Sequence, residues 1–334
     1  MKIDYHVHLE EGPYSTNWLA RTATSLAFFQ GKGLTASPHS IEWVKQITKQ
    51  LNSRVEEGCY SEAWLDLYLE RAKQLGLKEV GIVEHLYRFR DCLDYFKEHM
   101  HLEADSLGTL QNKWLHQVST IPSMDHFIEF IHSQQEKWQK QGVNLALGLE
   151  ADYFPNGEEK LKRLLENKPW DYVIGSVHFI NGWGFDNKET AHYFEQMNLI
   201  ELYQTHTSYV CQSIESKLFD MVAHLDNLKV FSYRPEETLL LENYQQVAET
   251  LKKNNIASEV NTGLSYRYPV KEACPSPSYL QVLANYQVPL TLSSDSHYPD
   301  DLGTNLDQAT ELLKNNHYTS VVGFSKRKRH AVEL

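Results

Sequence analysis

The earliest residues able to do chemistry are His6 and His8, in the alternating run Ile3-Asp4-Tyr5-His6-Val7-His8. In an extended strand, residues i and i+2 share a face, so both imidazoles project from one strand end. Two neutral imidazoles placed that way are half of a metal site. A single HxH pair arises often by chance, and its weight depends on what else reaches the same place. Five further apolar runs also finish in ligand-type residues. They lead to His85, to Glu150, to His178, to His224, and to Asp295 with His297. Any one of these alone reads best as a capped or solvated polar residue. Six strands ending this way do not. Imidazole and carboxylate without thiolate suit Zn, Mn or Fe. There are more such groups than one four-coordinate ion requires, which points to two or three ions with Glu150 bridging a pair. Neighbouring ions of that kind activate water and steady the attacking and leaving oxygens of a phosphoryl group.

The elements that must carry these residues alternate. Seven runs read as strands, at about residues 3–8, 78–85, 143–150, 171–178, 221–224, 257–261 and 289–293, and Thr319–Phe324 reads as a doubtful eighth. Between them the patterns are helical. One helical pattern covers Thr16 to about Leu51, with Ile41, Val44, Ile47 and Leu51 as its apolar stripe. A helix capped by Ser61 runs through Leu75 with Gly76 at its C′ position, and further helices are expected over 124–141, 158–167, 189–217 with a break near Asn198, 236–254, 278–286 and 305–315. Regular strand–helix alternation implies a parallel α/β sheet. A closed barrel fits better than an open sheet, because chemical residues follow nearly every strand, and α/β barrels build their sites at the C-terminal strand ends. The chain is expected to be a single domain over 1–334. The stretch 88–123, rich in polar residues and aromatics, reads as an insertion over one face, either a lid or a surface loop. The basic run Lys326-Arg327-Lys328-Arg329 reads as a solvated tail.

Composition narrows the partners. The 334 residues carry a formal net charge of −12, which argues against coating long nucleic acids or a membrane surface. No run approaches a membrane span, and the N-terminus has no signal-peptide pattern. The four cysteines, Cys59, Cys92, Cys211 and Cys274, are far apart and form no CxxC. A cytoplasmic protein is expected. The oligomeric state is left open.

Seven stretches together resemble the PHP (polymerase and histidinol phosphatase) superfamily, in particular its histidinol-phosphate phosphatase branch. They are Asp4-Tyr5-His6-Val7-His8, Gly81-Ile82-Val83-Glu84-His85, Gly148-Leu149-Glu150, Gly175-Ser176-Val177-His178-Phe179, His224-Leu225-Asp226, Glu259-Val260-Asn261-Thr262 with Gly263-Leu264, and Ser294-Asp295-Ser296-His297. The resemblance implies a distorted (β/α)7 TIM-like barrel and a multinuclear metal site. It implies His6, His8, His85, Glu150, His178, His224, Asp295 and His297 as ligands. The chain departs from the family at Glu84, where Asp is frequent, and in the loop after His8, where a further ligand is usual. In that loop Glu11 is the candidate, with Glu10 the alternative. Arg267, soon after Gly263-Leu264, matches the position of a phosphate-binding arginine, and a guanidinium fork suits phosphate oxygens.

The expected activity is therefore metal-dependent hydrolysis of a phosphate monoester, with L-histidinol phosphate the implied substrate. The proton for the leaving alkoxide could come from Asp226 or from a histidine of the site. No serine or cysteine nucleophile motif is present, which disfavours a covalent phosphoenzyme. The alternatives are a PHP-type phosphoesterase for another small phosphorylated metabolite or nucleotide, and a non-enzymatic binding module. Retention of eight ligand-type residues argues against the module.

Overall fold

The computed structural model describes residues 2–10, 12–29 and 34–334. The sheet is built from β1 (Lys2–Val7), β2 (Leu77–Ile82), β3 (Asn144–Asp152) and β4 (Tyr172–Ser176). After a small hairpin of β5 (Phe179–Ile180) and β6 (Trp183–Gly184), it continues with β7 (Met221–Val222), β8 (Ala257–Asn261) and β9 (Leu290–Ser293). The seven large-sheet strands pair in the order β1-β2-β3-β4-β7-β8-β9, every pair parallel. All seven are buried on both faces along most of their length, as strands enclosed by helices must be. Regular ladder hydrogen bonds do not join β9 to β1. Instead, His8 N–H donates to the Ser296 carbonyl at 2.7 Å. The Asp4 carboxylate accepts from the Ser294 N–H at 2.9 Å and from its hydroxyl at 2.5 Å. A side chain thus does at the seam what backbone does elsewhere, and the barrel is nearly closed with seven strands, as the alternation implied.

The helices are α1 (Thr16–Phe28), α2 (Ile41–Glu57), α3 (Glu62–Leu75), α4 (Leu93–His99), α5 (Ser106–Val118), α6 (Met124–Lys140), α7 (Glu158–Leu165), α8 (Leu199–Glu215), α9 (Leu241–Asn254), α10 (Gly263–Arg267), α11 (Pro277–Asn285) and α12 (Leu306–Asn315). Ser61 and Gly76 flank α3 as expected, Gly76 with a left-handed φ of 72° that suits a residue without Cβ. Two expectations are corrected. The helical pattern over 16–51 is carried by α1 and α2, and its apolar stripe is only half inward: Ile41 is 62% and Val44 45% exposed, whereas Ile47 is buried. The C-terminal basic run is no loose tail. β10 (Ser320–Ser325) and β11 (Lys328–Glu333) form an antiparallel hairpin outside the barrel sheet, and Arg327 pairs with Asp220.

This hairpin closes the end of the barrel opposite the ligand-bearing rim. Phe324 packs on Tyr5 and Tyr172, with ring centroids 5.5 and 5.3 Å away. Tyr172 reaches across the barrel to donate to the Tyr5 carbonyl at 2.7 Å. Gly81 and Gly148 make that possible, because a Cβ at either position would collide with the Tyr172 ring. The stretch 88–123 is mainly helical, α4 and α5 joined by short turns and tied at its base by pairing of Phe89 with Ile121. Among the described residues, no helix is long and apolar enough to cross a membrane.

Candidate metal centre

All eight ligand-type residues marked by the strand ends meet at one rim, arranged around Glu150. That carboxylate is 1% exposed. Its Oε2 lies 2.8 Å from His85 Nδ1, 3.2 Å from His6 Nε2 and 3.3 Å from His8 Nε2. Its Oε1 lies 3.0 Å from His224 Nε2 and 3.5 Å from His178 Nε2, and accepts from the Ser176 hydroxyl at 2.5 Å. One carboxylate therefore faces two sets of imidazoles, one with each oxygen. Asp295 Oδ1 approaches His8 Nε2 at 3.6 Å and His6 Nε2 at 3.9 Å. His8 is stacked between His85 and His297, with centroid separations of 4.1 and 4.3 Å. Ligand-type atoms converge in three groups: His8, His85 and His297; His6, His8 and Asp295, which shares His8 with the first; and Glu150, His178 and His224.

Local backbone geometry aims several of these side chains. His6 and His8 share a face, as their spacing requires, with Nε2 atoms 3.1 Å apart. His224 and Asp295 have positive φ, 25° and 52°. Such conformations cost a non-glycine residue about 1–3 kcal/mol and are retained where the surroundings over-determine them. Glu150 does not end its strand, since β3 continues through Asp152.

Two carboxylates outside the expected set orient the rings. Asp152 Oδ1 is 2.7 Å from His178 Nδ1, and Glu259 Oε2 is 3.1 Å from His6 Nδ1. Glu259 Oε1 also accepts the His224 N–H at 3.0 Å. A carboxylate on Nδ1 holds its proton there and leaves the Nε2 lone pair facing the ring of ligands, the usual support for a metal-binding histidine. The sequence carried one faint sign of Glu259, a charged residue inside an otherwise buried strand. Asp152 carried a similar sign, two residues beyond Glu150 on the same face.

The electrostatics fit a cation. Burial alone would raise the Glu150 carboxyl, but His85 and His6 beside it hold it well below the usual carboxylate range. Burial opposes ionisation of Glu259 too, and His6 outweighs it, bringing that carboxyl down to about 2. Burial and the neighbouring His85 push His8 well below an ordinary imidazole, and burial with Arg267 does the same to His297, so both rings are neutral and ready to ligate. Nε2 atoms of His178 and His224 face each other at 3.2 Å, and His8 Nδ1, His85 Nδ1 and Glu150 Oε2 are buried without a well-aligned hydrogen bond, the last two despite lying 2.8 Å apart. Buried polar atoms crowded together without well-aligned hydrogen bonds are costly unless a cation sits among them. The residues fit bound metal ions.

The other expected residues fall differently. Arg267 stands at the rim, its Nη1 3.0 Å from the Asp295 carbonyl and 3.5 Å from Oδ1, and it lines the cleft above the ring. Asp226 is not brought to the ring. Its Oδ2 accepts from Lys229 Nζ at 2.7 Å and from the Ser276 N–H at 2.9 Å, which corrects its reading as a proton donor. Glu10 accepts from Trp18 Nε1 at 2.9 Å and Arg54 Nη2 at 2.8 Å, so its carboxylate anchors α1 and α2. Glu84 accepts from the Tyr60 hydroxyl at 3.0 Å and from the His85 N–H at 3.2 Å. Glu11 lies outside the described residues.

Comparison with known proteins agrees with this geometry. The PHP domain matches residues 59–263. A protein of Deinococcus radiodurans named a probable histidinol-phosphatase is 33% identical over 195 residues, 58% of this chain and 73% of that protein. One of Schizosaccharomyces pombe with the same name is 25% identical over 291 residues, 80% of this chain and 86% of that protein. The crystal structure of a histidinol phosphate phosphatase from Lactococcus lactis, complexed with zinc, L-histidinol and phosphate, superposes with a TM-score of 0.64 at 16% identity, covering 98% of both chains. At that identity the superposition establishes the fold. The sequence matches establish more: this chain belongs to the PHP family.

Proposed function

We propose that this chain hydrolyses phosphate monoesters and that L-histidinol phosphate is its substrate. The observation that carries the reading is the placement of Glu150 between two sets of imidazoles, with Asp295 and His297 completing the ring. In this reading His6, His8, His85, Glu150, His178, His224, Asp295 and His297 hold two or three divalent transition metals, with Glu11 kept as a further ligand. Such ions, when bound, supply Lewis acidity and water of lowered pKa at a phosphorus centre. The chain's own groups do the rest. Asp152 and Glu259 keep the Nδ1 protons of His178 and His6 in place. Arg267 meets the non-bridging oxygens of the phosphoryl group and offsets their charge. The cleft of about 530 Å³ over the ring is large enough for a small phosphorylated metabolite. The names of the relatives and the ligands of the Lactococcus lactis structure support the choice of substrate.

The test is direct. Purified protein supplied with Mn or Zn should release inorganic phosphate from L-histidinol phosphate, and chelation should stop it. Turnover of other small phosphoesters with none of L-histidinol phosphate would leave the chemistry standing and remove the substrate assignment.

A further inference from the structure

Two acidic groups in the cleft over the ring serve neither the ligand set nor the scaffold: Glu189, exposed at the mouth, and Asp186, half-buried and nearer the ligands. Asp186 follows the β5–β6 hairpin, which folds back so that the Phe185 N–H donates to the His178 carbonyl at 3.2 Å. On its other side Asn187 caps the next helical turn by accepting the Glu189 N–H at 2.9 Å. The residue is thus fixed from both directions. Its side chain is 34% exposed and lines the cleft. Among the described residues it has no ion pair with Lys or Arg, and its ionic neighbour is His178 Nε2 at 4.0 Å. It belongs to none of the three convergent ligand groups. Lys113 and Lys188 also line the cleft, but both are solvated at its mouth.

The same cleft has an aromatic wall, formed by Tyr87 and Trp114. The Tyr87 ring stacks on His85 at 4.6 Å, and Trp114 of α5 lies 4.9 Å from Tyr87. Moving outward from the ring of ligands, a bound ester therefore meets the Asp186 carboxylate, which no Lys or Arg of the described residues neutralises, and the π faces of Tyr87 and Trp114. That combination suits an organic cation carrying a ring.

Resting on the phosphatase reading above, we propose that Asp186 is the specificity-determining residue for the alcohol half of the substrate, pairing with an ammonium group close to the ester oxygen. In L-histidinol phosphate the primary amine is two carbons from that oxygen. A carboxylate standing next to a ligand histidine is within reach of it when the phosphoryl group lies on the ring. Tyr87 and Trp114 then face the imidazole. The substrate class assigned to the cleft is a phosphate monoester of a primary amino alcohol.

The experiment compares esters that share a primary-alkyl leaving group and differ in charge: L-histidinol phosphate and O-phosphoethanolamine, with the cation, and glycerol 1-phosphate, without it. In the metal-loaded D186N variant, kcat/KM for the two amines should fall about 10- to 100-fold, mainly through KM, because a charge-assisted contact is lost. Glycerol 1-phosphate should change less than about two-fold and metal content not at all. An equal fall on all three esters, as loss of a general acid would give, overturns the assignment. So does loss of a metal equivalent, or an unchanged preference. Should D186N fail to fold, wild-type protein with equal kcat/KM on O-phosphoethanolamine and glycerol 1-phosphate overturns it without a variant. Wild-type protein that hydrolyses none of the esters removes the phosphatase reading instead.

Discussion

Two buried polar clusters sit at the same rim of the barrel, and they are built in opposite ways. Around Lys229, which is fully buried, the charges match: its ammonium donates to Asp226 at 2.7 Å, to Glu272 at 2.6 Å and to the Ala273 carbonyl at 2.6 Å. Arg234 adds a second cation on Glu272 at 2.7 Å. The chain there brings its own counter-ions, although Asp226 Oδ1 is buried without a hydrogen-bond partner. Around Glu150, in contrast, six imidazoles and two carboxylates converge, and buried nitrogen and oxygen atoms remain without partners. A cluster whose charges the chain itself neutralises fixes loops. A cluster complete only with something added holds a ligand. Residue type does not separate them, since both combine acids and bases just after the strands, but the balance of donors against acceptors does.

Variants that exchange the two roles test this contrast. The largest effect is expected at Glu150. E150Q keeps the shape and removes the charge facing both sets of rings, and should lower kcat/KM by several kcal/mol of transition-state stabilisation, roughly a thousandfold, with loss of bound metal. Elemental analysis beside a phosphate-release assay reads both. Full metal content and near-normal turnover would break the comparison from the functional side.

The second effect is on stability. K229M leaves Asp226 buried without its cation, while Glu272 keeps Arg234, and should cost about 3–5 kcal/mol in denaturant unfolding. Its metal content and its KM for the phosphoester should stay close to wild type. A K229M protein that folds normally but cannot hold metal would place Lys229 in the functional cluster.

A smaller effect separates both clusters from the packing behind them. His206 on α8 is buried, its Nε2 has no hydrogen-bond partner, and burial pushes the imidazole down to about 3. The unfolded chain takes up this proton near pH 6.5, while the folded chain resists until near pH 3. The contribution is therefore intact at neutral pH and is lost as pH falls through the mid-sixes. Between pH 7 and pH 5 this should cost wild-type protein about 2 kcal/mol that H206L does not lose. Parallel pH profiles for the two proteins would contradict it.

What the sequence made legible follows from the same physics. Each of the eight ring residues closes or follows a short apolar run, and a barrel sends all such ends to one rim, so pattern alone could collect them. Asp152, Glu259 and Asp186 could not be collected in that way. The first two work by touching one nitrogen of a ring delivered by a different strand, and the third by lining a cleft that exists only after α5 and the β5–β6 hairpin have packed. Asp226 misled for the complementary reason: it sits two residues beyond a ligand histidine, yet its counter-ion comes from Lys229, one helical turn further on. The helical pattern over 16–51 rested on periodicity, which does not mark where α1 ends and α2 begins. The C-terminal hairpin was hidden by its charges, because Lys326 and Arg327 form the turn while Lys328 and Arg329 begin an edge strand that must stay soluble.

The central claim is that the ring around Glu150 is completed by metal ions. Equilibrium titration of the metal-free protein with Mn or Zn, followed by calorimetry and checked by elemental analysis, measures that most directly. The account predicts two or three equivalents bound to wild-type protein, fewer to E150Q, and the wild-type number to K229M. Wild-type protein that binds no divalent metal, or that binds as many equivalents as E150Q, would contradict it.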